Sequence, residues 1–386
     1  MLRLALLTPN VLAANMIEHL VNESGVFKLI LKGAPIPSTQ HIFRTLSVHE
    51  PEVILVDLKD WDSIANLVKE LKKRKIGGVL VGFKSNWNRL EQLTFEEAGI
   101  VDLLRDPFTA AELVAVAYEG IHRDRPVGNQ NILAFLPAKA GGGCSTVALN
   151  TAGALVNSLD KKVLLMESDT RSGVLSILLN LEDRVGLREA LELAAEMTPV
   201  QWQQHCAEVS GVHVLLANPA RRGPLPMWTD YYQLLFFLQK QYDYILVDLP
   251  EVINAATAEI VRTARGVLIV CEPELPSLKL AKQRCAELES CEISRDNIHI
   301  VVNRWEHTRI TVEDVEKVVE RPVFATVPND YTHVKNAVLK SRLVSPNSPF
   351  AKGCAALARK LGGLPETRAE RLKFALLQSL GRIASH

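Results

Sequence analysis

The sequence has no excess of either charge: 44 Lys and Arg stand against 44 Asp and Glu. Phosphate binding leaves a basic footprint, so this balance argues against a nucleic-acid partner. The balance holds in parts too, with 15 basic and 16 acidic side chains in residues 1–125 and 29 against 28 in the remainder. Also missing is any apolar run near the roughly 18 residues that would span a bilayer. The opening MLRLALLTPN reaches Pro9 and Asn10 too soon for a signal-peptide core, so a cytoplasmic protein is expected. The cysteines, Cys144, Cys206, Cys271, Cys285, Cys291 and Cys354, form no CxxC pair of the metal-binding kind and are expected as free thiols in a reducing compartment.

What is present is ordinary globular composition, 47% hydrophobic and 23% charged over 386 residues, enough for two or three domains. Short apolar runs at Arg3–Thr8, Phe27–Leu31, Glu52–Leu58, Gly78–Val81 and Ile100–Leu104 read as strands too apolar to face solvent. Amphipathic helices such as Trp61–Lys73 lie between them, and Ala110–Arg123 opens with Thr109 and Glu112 in capping-box spacing. Five strands alternating with helices predict a doubly wound parallel sheet over residues 1–124. A polar stretch with Pro126 and Gly128 then reads as a linker, residues 125–130. After it the alternation restarts over 131–363, with strands expected at Ile132–Leu136, Val163–Met166, Val212–Leu216, Tyr244–Asp248, Gly266–Cys271, Ile298–Asn303 and Val323–Val327. Residues 364–386 form an amphipathic tail, with Leu372, Leu376 and Leu380 at fourfold spacing. The tail reads either as a helix packed on its own domain or as a membrane-surface helix, and four basic against two acidic groups is a weak charge for the latter.

The chemistry concentrates after Ile132–Leu136. There the chain runs Pro137-Ala138-Lys139-Ala140-Gly141-Gly142-Gly143-Cys144-Ser145-Thr146 into a helical stretch Val147–Ser158. A strand, a glycine loop and a helix start make a phosphate cradle, because glycines let backbone N–H groups point at an anion and the helix adds partial positive charge. Two positions depart from G-x-x-x-x-G-K-[ST]: Ala138 replaces the first Gly, and Cys144 replaces the lysine that neutralises phosphate oxygens. Three glycines by themselves also suit a flexible turn.

Lys139 through Thr146 aligns position by position with K-G-G-x-G-K-[ST]-[ST], and so resembles the deviant-Walker ATPases of the MinD/ParA superfamily. The resemblance implies an ATP-sandwich homodimer with Mg²⁺, in which Lys139 reaches the partner's nucleotide, Gly141, Gly142, Gly143, Cys144 and Thr146 cradle phosphate, and Ser145 binds the metal directly. Met166-Glu167-Ser168-Asp169 resembles the superfamily's D-x-D switch I, with Asp169 orienting the attacking water. Tyr244–Pro250 resembles Walker B with switch II, with Asp248 on Mg²⁺ through water. An Asp at a strand end also suits a helix cap, and it is the order of the features together that favours the nucleotide reading. Further on, Val301-Val302-Asn303-Arg304 resembles the strand end that pairs with the adenine edge, and Thr326-Val327-Pro328-Asn329-Asp330 the turn beside the base.

The stretch from Val327 through Val334, Ala337 and Lys340–Leu343, with a receiver-like, flavodoxin-like domain ahead of a P-loop NTPase domain, resembles the pilus-assembly proteins of the TadZ/CpaE type. That branch often lacks the Walker lysine. The first domain, set against response-regulator receivers, keeps only Asp57 as a degenerate phospho-site: Thr8-Pro9-Asn10 follows strand 1 without acids, Gly82-Phe83 follows strand 4, and Arg105-Asp106-Pro107-Phe108 follows strand 5. Without an acidic pair to hold Mg²⁺, phosphorylation is not expected, and Asp57 also suits a plain loop cap. The resemblance implies an ATP-binding, dimerising localisation factor for a Tad/Flp-type pilus or type II/IV secretion system, partnered by the secretion motor ATPase and placed at the cell pole or peripheral to the inner membrane. The same resemblance, with Cys144 at the lysine position, leads to the expectation of at most a slow Mg-ATPase. The alternatives are a nucleotide-free interaction scaffold, or a MinD/ParA-like ATPase in cell-division or partition positioning.

Overall fold

A computed structural model describes residues 1–74, 78–123, 131–181, 186–217, 225–306 and 310–363. The expected linker, 125–130, and tail, 364–386, lie outside the described residues. Contacts divide the chain into two compact units, Met1–Asn129 and Gln130–His386.

The first unit is built on a 5-stranded sheet: β1 (Leu2–Leu7), β2 (Phe27–Gly33), β3 (Val53–Asp57), β4 (Val79–Lys84) and β5 (Ile100–Arg105). All pairings are parallel, in the order β2-β1-β3-β4-β5. This is the doubly wound order that places the C-terminal ends of β1 and β3 at a switch point. Val53 through Val56 are wholly buried, which is why the run reads as continuously apolar rather than alternating. Helices Val11–Ser24, Thr39–His49, Trp61–Arg74, Arg89–Ala98 and Ala110–Arg123 alternate with the strands. The Thr109 box forms as the spacing predicts: Thr109 N–H donates to Glu112 Oε2 at 2.7 Å, and Glu112 N–H to Thr109 Oγ1 at 3.2 Å.

The second unit holds an 8-stranded sheet of β6 (Ile132–Pro137), β7 (Val163–Glu167), β8 (Ala207–Val209), β9 (Val212–Leu215), β10 (Tyr244–Asp248), β11 (Gly266–Cys271), β12 (Ile298–Trp305) and β13 (Val323–Pro328). Their order is β13-β12-β11-β6-β10-β7-β9-β8, parallel except for the antiparallel β8–β9 edge. Strand β8 was not expected from the sequence. It is three residues long with only Ala207 buried, too short to carry a periodicity. Helix Cys144–Leu159 starts three residues ahead of the expected Val147, because Gly143 turns left-handed and closes the loop earlier.

Alternate residues of β6 face opposite sides of the sheet. Ile132, Ala134 and Leu136 join one core, while Leu133 and Phe135 join the other. Each fully buried Leu, Ile or Phe of this kind stabilises the fold by about 1.5–3 kcal/mol, so the loop that follows β6 springs from a strand buried along its whole length. Helix Pro349–Leu361 packs on helix Cys144–Leu159 and β13 through Phe350, Cys354, Leu357 and Ala358. All the cysteines are free thiols. Among the described residues no helix is long and apolar enough to cross a membrane.

Candidate functional site

Strand β6 lies between β10 and β11, so the loop after it emerges where three strands end together. Ala138 N–H still donates to the Val270 carbonyl at 2.9 Å, and beyond it the chain leaves the sheet. Gly141 and Gly143 take φ of 79° and 82°, a left-handed conformation open to glycine at no steric cost. A Cβ on Gly143 would also lie 2.5 Å from Asn303 Nδ2.

The end of β12 fixes the loop's peptide planes. Asn303 Nδ2 donates to the Gly142 carbonyl at 2.9 Å, and the Arg304 guanidinium donates to the Gly141 carbonyl at 3.0 Å. In a trans peptide the N–H points opposite to the carbonyl, so the amides of Gly142 and Gly143 face away from these side chains. Arg304 has φ 53°, a turn a non-glycine residue adopts at a cost of order 1–3 kcal/mol. The helix that follows has no side-chain N-cap, which leaves its first amides and its dipole to an anion.

A cleft of about 880 Å³ opens over this loop, lined by Ala140–Thr146, Ser168–Val174, Asp248–Val252, Asn254, Leu225 and Arg304. Asp248, at the end of β10, is buried; burial pushes its carboxyl up to about 7, against hydrogen bonds from the Ser145 hydroxyl and the Cys144 thiol. Burial likewise holds the Cys144 thiol well above its ordinary value, so it is a neutral donor to Asp248 and not a thiolate. Asp169 Oδ1 accepts from the N–H groups of Arg171 at 3.0 Å and Ser172 at 2.8 Å, which folds its loop back over the cleft.

Three carboxylates not singled out from the sequence organise the surroundings. Glu167 is buried and accepts from Leu175 N–H at 2.7 Å and Ala217 N–H at 3.0 Å. It thereby ties the far end of the Asp169 loop back to the end of β7 and holds the segment after β9, and burial raises its own carboxyl. Glu272, buried just past β11, pairs with Lys139 Nζ at 2.8 Å and with Arg304. Glu251 accepts from Ala140 N–H at 3.0 Å. Glu167→Ala would strand two buried amides, and is expected to cost about 2–4 kcal/mol, read as a lower urea midpoint.

The expected residues therefore divide. Gly141, Gly142, Gly143, Cys144, Ser145, Thr146, Asp169, Asp248 and Arg304 line one cleft. Lys139 is not part of that lining: its ammonium is held by Glu272 and, at 3.4 Å, by Glu274, and the Glu272 hydrogen bond is the main reason its pKa is raised. Asn303, expected at an adenine edge, donates its amide nitrogen to the Gly142 carbonyl of the loop, and its buried Oδ1 has no hydrogen-bond partner among the described residues. Pro328 pairs in register with Trp305 and covers Gly353, where a Cβ would come within 2.6 Å of its ring. In the first unit, Asp57 is buried with both oxygens engaged, by Thr8 Oγ1 at 2.8 Å and Lys59 N–H at 3.0 Å. Lys59 Nζ in turn pairs with Asp106 at 3.0 Å.

No protein-family model matches the chain. It is 25% identical over 241 residues to the septum site-determining protein MinD of Thermotoga maritima, covering 60% of this chain and 88% of that protein. Among solved structures it is similar to a ParA family ATPase from Chlorobium tepidum, with 23% identity, a TM-score of 0.55, and coverage of 59% of this chain and 98% of that one. A second similarity is to the MinC:MinD cell division protein complex of Aquifex aeolicus, with 23% identity, a TM-score of 0.52, and coverage of 62% and 99%.

Proposed function

With a P-loop ATPase domain of the MinD/ParA superfamily over 60% of the chain as premise, we propose that this protein is an ATP-binding, dimerising switch that hydrolyses ATP slowly or not at all. Its output is the placement or assembly of a Tad/Flp-type pilus or a type II/IV secretion machine. One observation carries the slow turnover: a buried cysteine, Cys144, stands at the first residue of the helix where the superfamily has a lysine.

The residues fit a magnesium nucleotide apart from that position. Left-handed glycines form the loop, a helix start without a side-chain cap supplies N–H donors, and Ser145 and Asp248 sit together on the metal side. When bound, the ion would offset charge on the phosphate oxygens; the chain's own part is to bind and orient through Gly141–Thr146 and to position water at Asp169. Lys139 is proposed to act across a homodimer, and Asn303, Arg304 and Pro328 to form the base side.

Residues 1–124 are proposed as a receiver-like contact module. Asp57 is already bonded on both oxygens, and Thr8 and Asn10 occupy the strand end where a receiver keeps its acids. The module would dock pilus or secretion components, including the motor ATPase, at the pole or the inner face of the membrane. Equilibrium dialysis with labelled ATP and millimolar Mg²⁺ tests the central reading. Retention of about one nucleotide per chain, with dimer formation in sedimentation velocity, is the expected result, and absence of retention leaves the nucleotide-free scaffold.

A further inference from the structure

The cleft already contains a carboxylate on its phosphate loop. Glu251 Oε2 accepts the Ala140 N–H at 3.0 Å, and its other oxygen lies 3.5 Å from Arg284 Nη2. Arg284 belongs to helix Leu275–Ser290 and is more than nine-tenths buried. Its Nη1 is fixed to Glu287 at 2.6 Å, and its Nε has no hydrogen-bond partner among the described residues. A buried guanidinium thus aims Glu251 at the loop from behind.

The position of that contact sets what it competes with. In a P-loop the helix start and the glycines cradle the inner phosphates, and the outer phosphates lie toward the Asp after the neighbouring strand, which here would help to hold a metal. Glu251 follows Asp248 by three residues in the same segment, and Ala140 lies at the end of the loop away from the helix. The Glu251 contact is therefore on the side of the terminal phosphate. A terminal phosphoryl group and a carboxylate both accept from the same N–H, and they repel when adjacent. Asp169 and Asp248 line the same cleft together with Arg171 and Arg304, and Cys144 supplies no cation at the helix start.

We infer that Glu251 is a built-in competitor of the terminal phosphate, setting the site's preference between nucleoside diphosphate and triphosphate. A diphosphate leaves the Glu251–Ala140 bond intact, whereas a triphosphate displaces the carboxylate, which then retains only Arg284. The assignment rests on the nucleotide reading above and specifies its ligand.

The test is calorimetric titration of the full chain, with Mg-ADP and with Mg-adenylyl-imidodiphosphate, in wild type, Glu251→Gln and Glu251→Ala. Wild type is expected to bind the diphosphate at least as tightly as the triphosphate analogue. Both variants are expected to shift the ratio toward the triphosphate by about tenfold or more, the worth of one charge-assisted hydrogen bond, with diphosphate affinity unchanged. Because Glu251 is half-exposed, intact diphosphate binding also reports that each variant is folded. If both nucleotides bind and the ratio does not move, the role of Glu251 is overturned and nucleotide binding stands. If neither nucleotide binds any of the three proteins, the nucleotide reading falls and takes this assignment with it.

Discussion

Cys144→Lys is expected to raise ATP turnover by about 10²–10³-fold, the rate carried by one positioned donor to developing charge. The wild-type side chain at this place is a thiol that donates to Asp248 and brings no positive charge. A lysine would start from the first residue of the same helix, and in the absence of phosphate its ammonium would still have Asp248 as a counter-charge, which limits the cost of burying it. Cys144→Ala is expected to change little, because a neutral group replaces a neutral group. Adding Asp169→Ala to the lysine variant is expected to return it to wild-type turnover. Phosphate release under saturating Mg-ATP reads all four proteins, and a lysine variant no faster than wild type would show that the lost cation is not what limits the rate.

The second large effect concerns Asp248 and pH. With its carboxyl pushed up to about 7 by burial first, and by Glu167 and Asp169 in addition, the group is largely protonated below neutrality. On the proposed nucleotide function, Mg²⁺ would need the ionised form of Asp248, so affinity is expected to fall as pH drops through about 7 and to level off above pH 8. Stability runs in the opposite direction. The folded chain binds this proton more tightly than the unfolded chain, whose ordinary value is 3.8, so stability is lost as pH rises from about 4 to 7 and the penalty is complete above 7. Roughly three pKa steps correspond to about 4 kcal/mol as an upper bound. Asp248→Asn should therefore be more stable than wild type at pH 8, gain nothing at pH 3, and lose the dependence of nucleotide binding on Mg²⁺. Urea titrations at the two pH values, without metal, measure the first two outcomes. The two variants are linked: an ammonium at position 144 stabilises the Asp248 carboxylate, so the lysine variant should move the pH midpoint for metal below 7.

How far the sequence carried can be seen in particular residues. The strands of both parallel sheets were legible because they are buried on both faces and read as unbroken apolar runs, as in Tyr244–Asp248 and Gly266–Cys271. The phosphate loop was legible because glycine at positive φ leaves a visible signature. Strand β8 and the exact helix start at Cys144 were not, one being too short and the other depending on a left-handed turn. Glu251 and Glu272 were illegible for a different reason. A single Glu in a loop has no periodicity, and its partner is decided by sheet order: β11 and β10 flank β6 although they are distant from it in sequence. Glu167 lay inside a motif already singled out, and its full burial behind Gly173 was the missing piece.

Glu272 serves two cations at once, and that sharing has a consequence for motion. A buried carboxylate with a single partner traps it, since departure leaves an uncompensated charge at a cost of about 3–5 kcal/mol. Here Arg304 remains on Glu272 when Lys139 leaves, and Arg304 is also anchored to the loop through Gly141. The lysine is consequently a detachable guest on a carboxylate that stays neutralised without it.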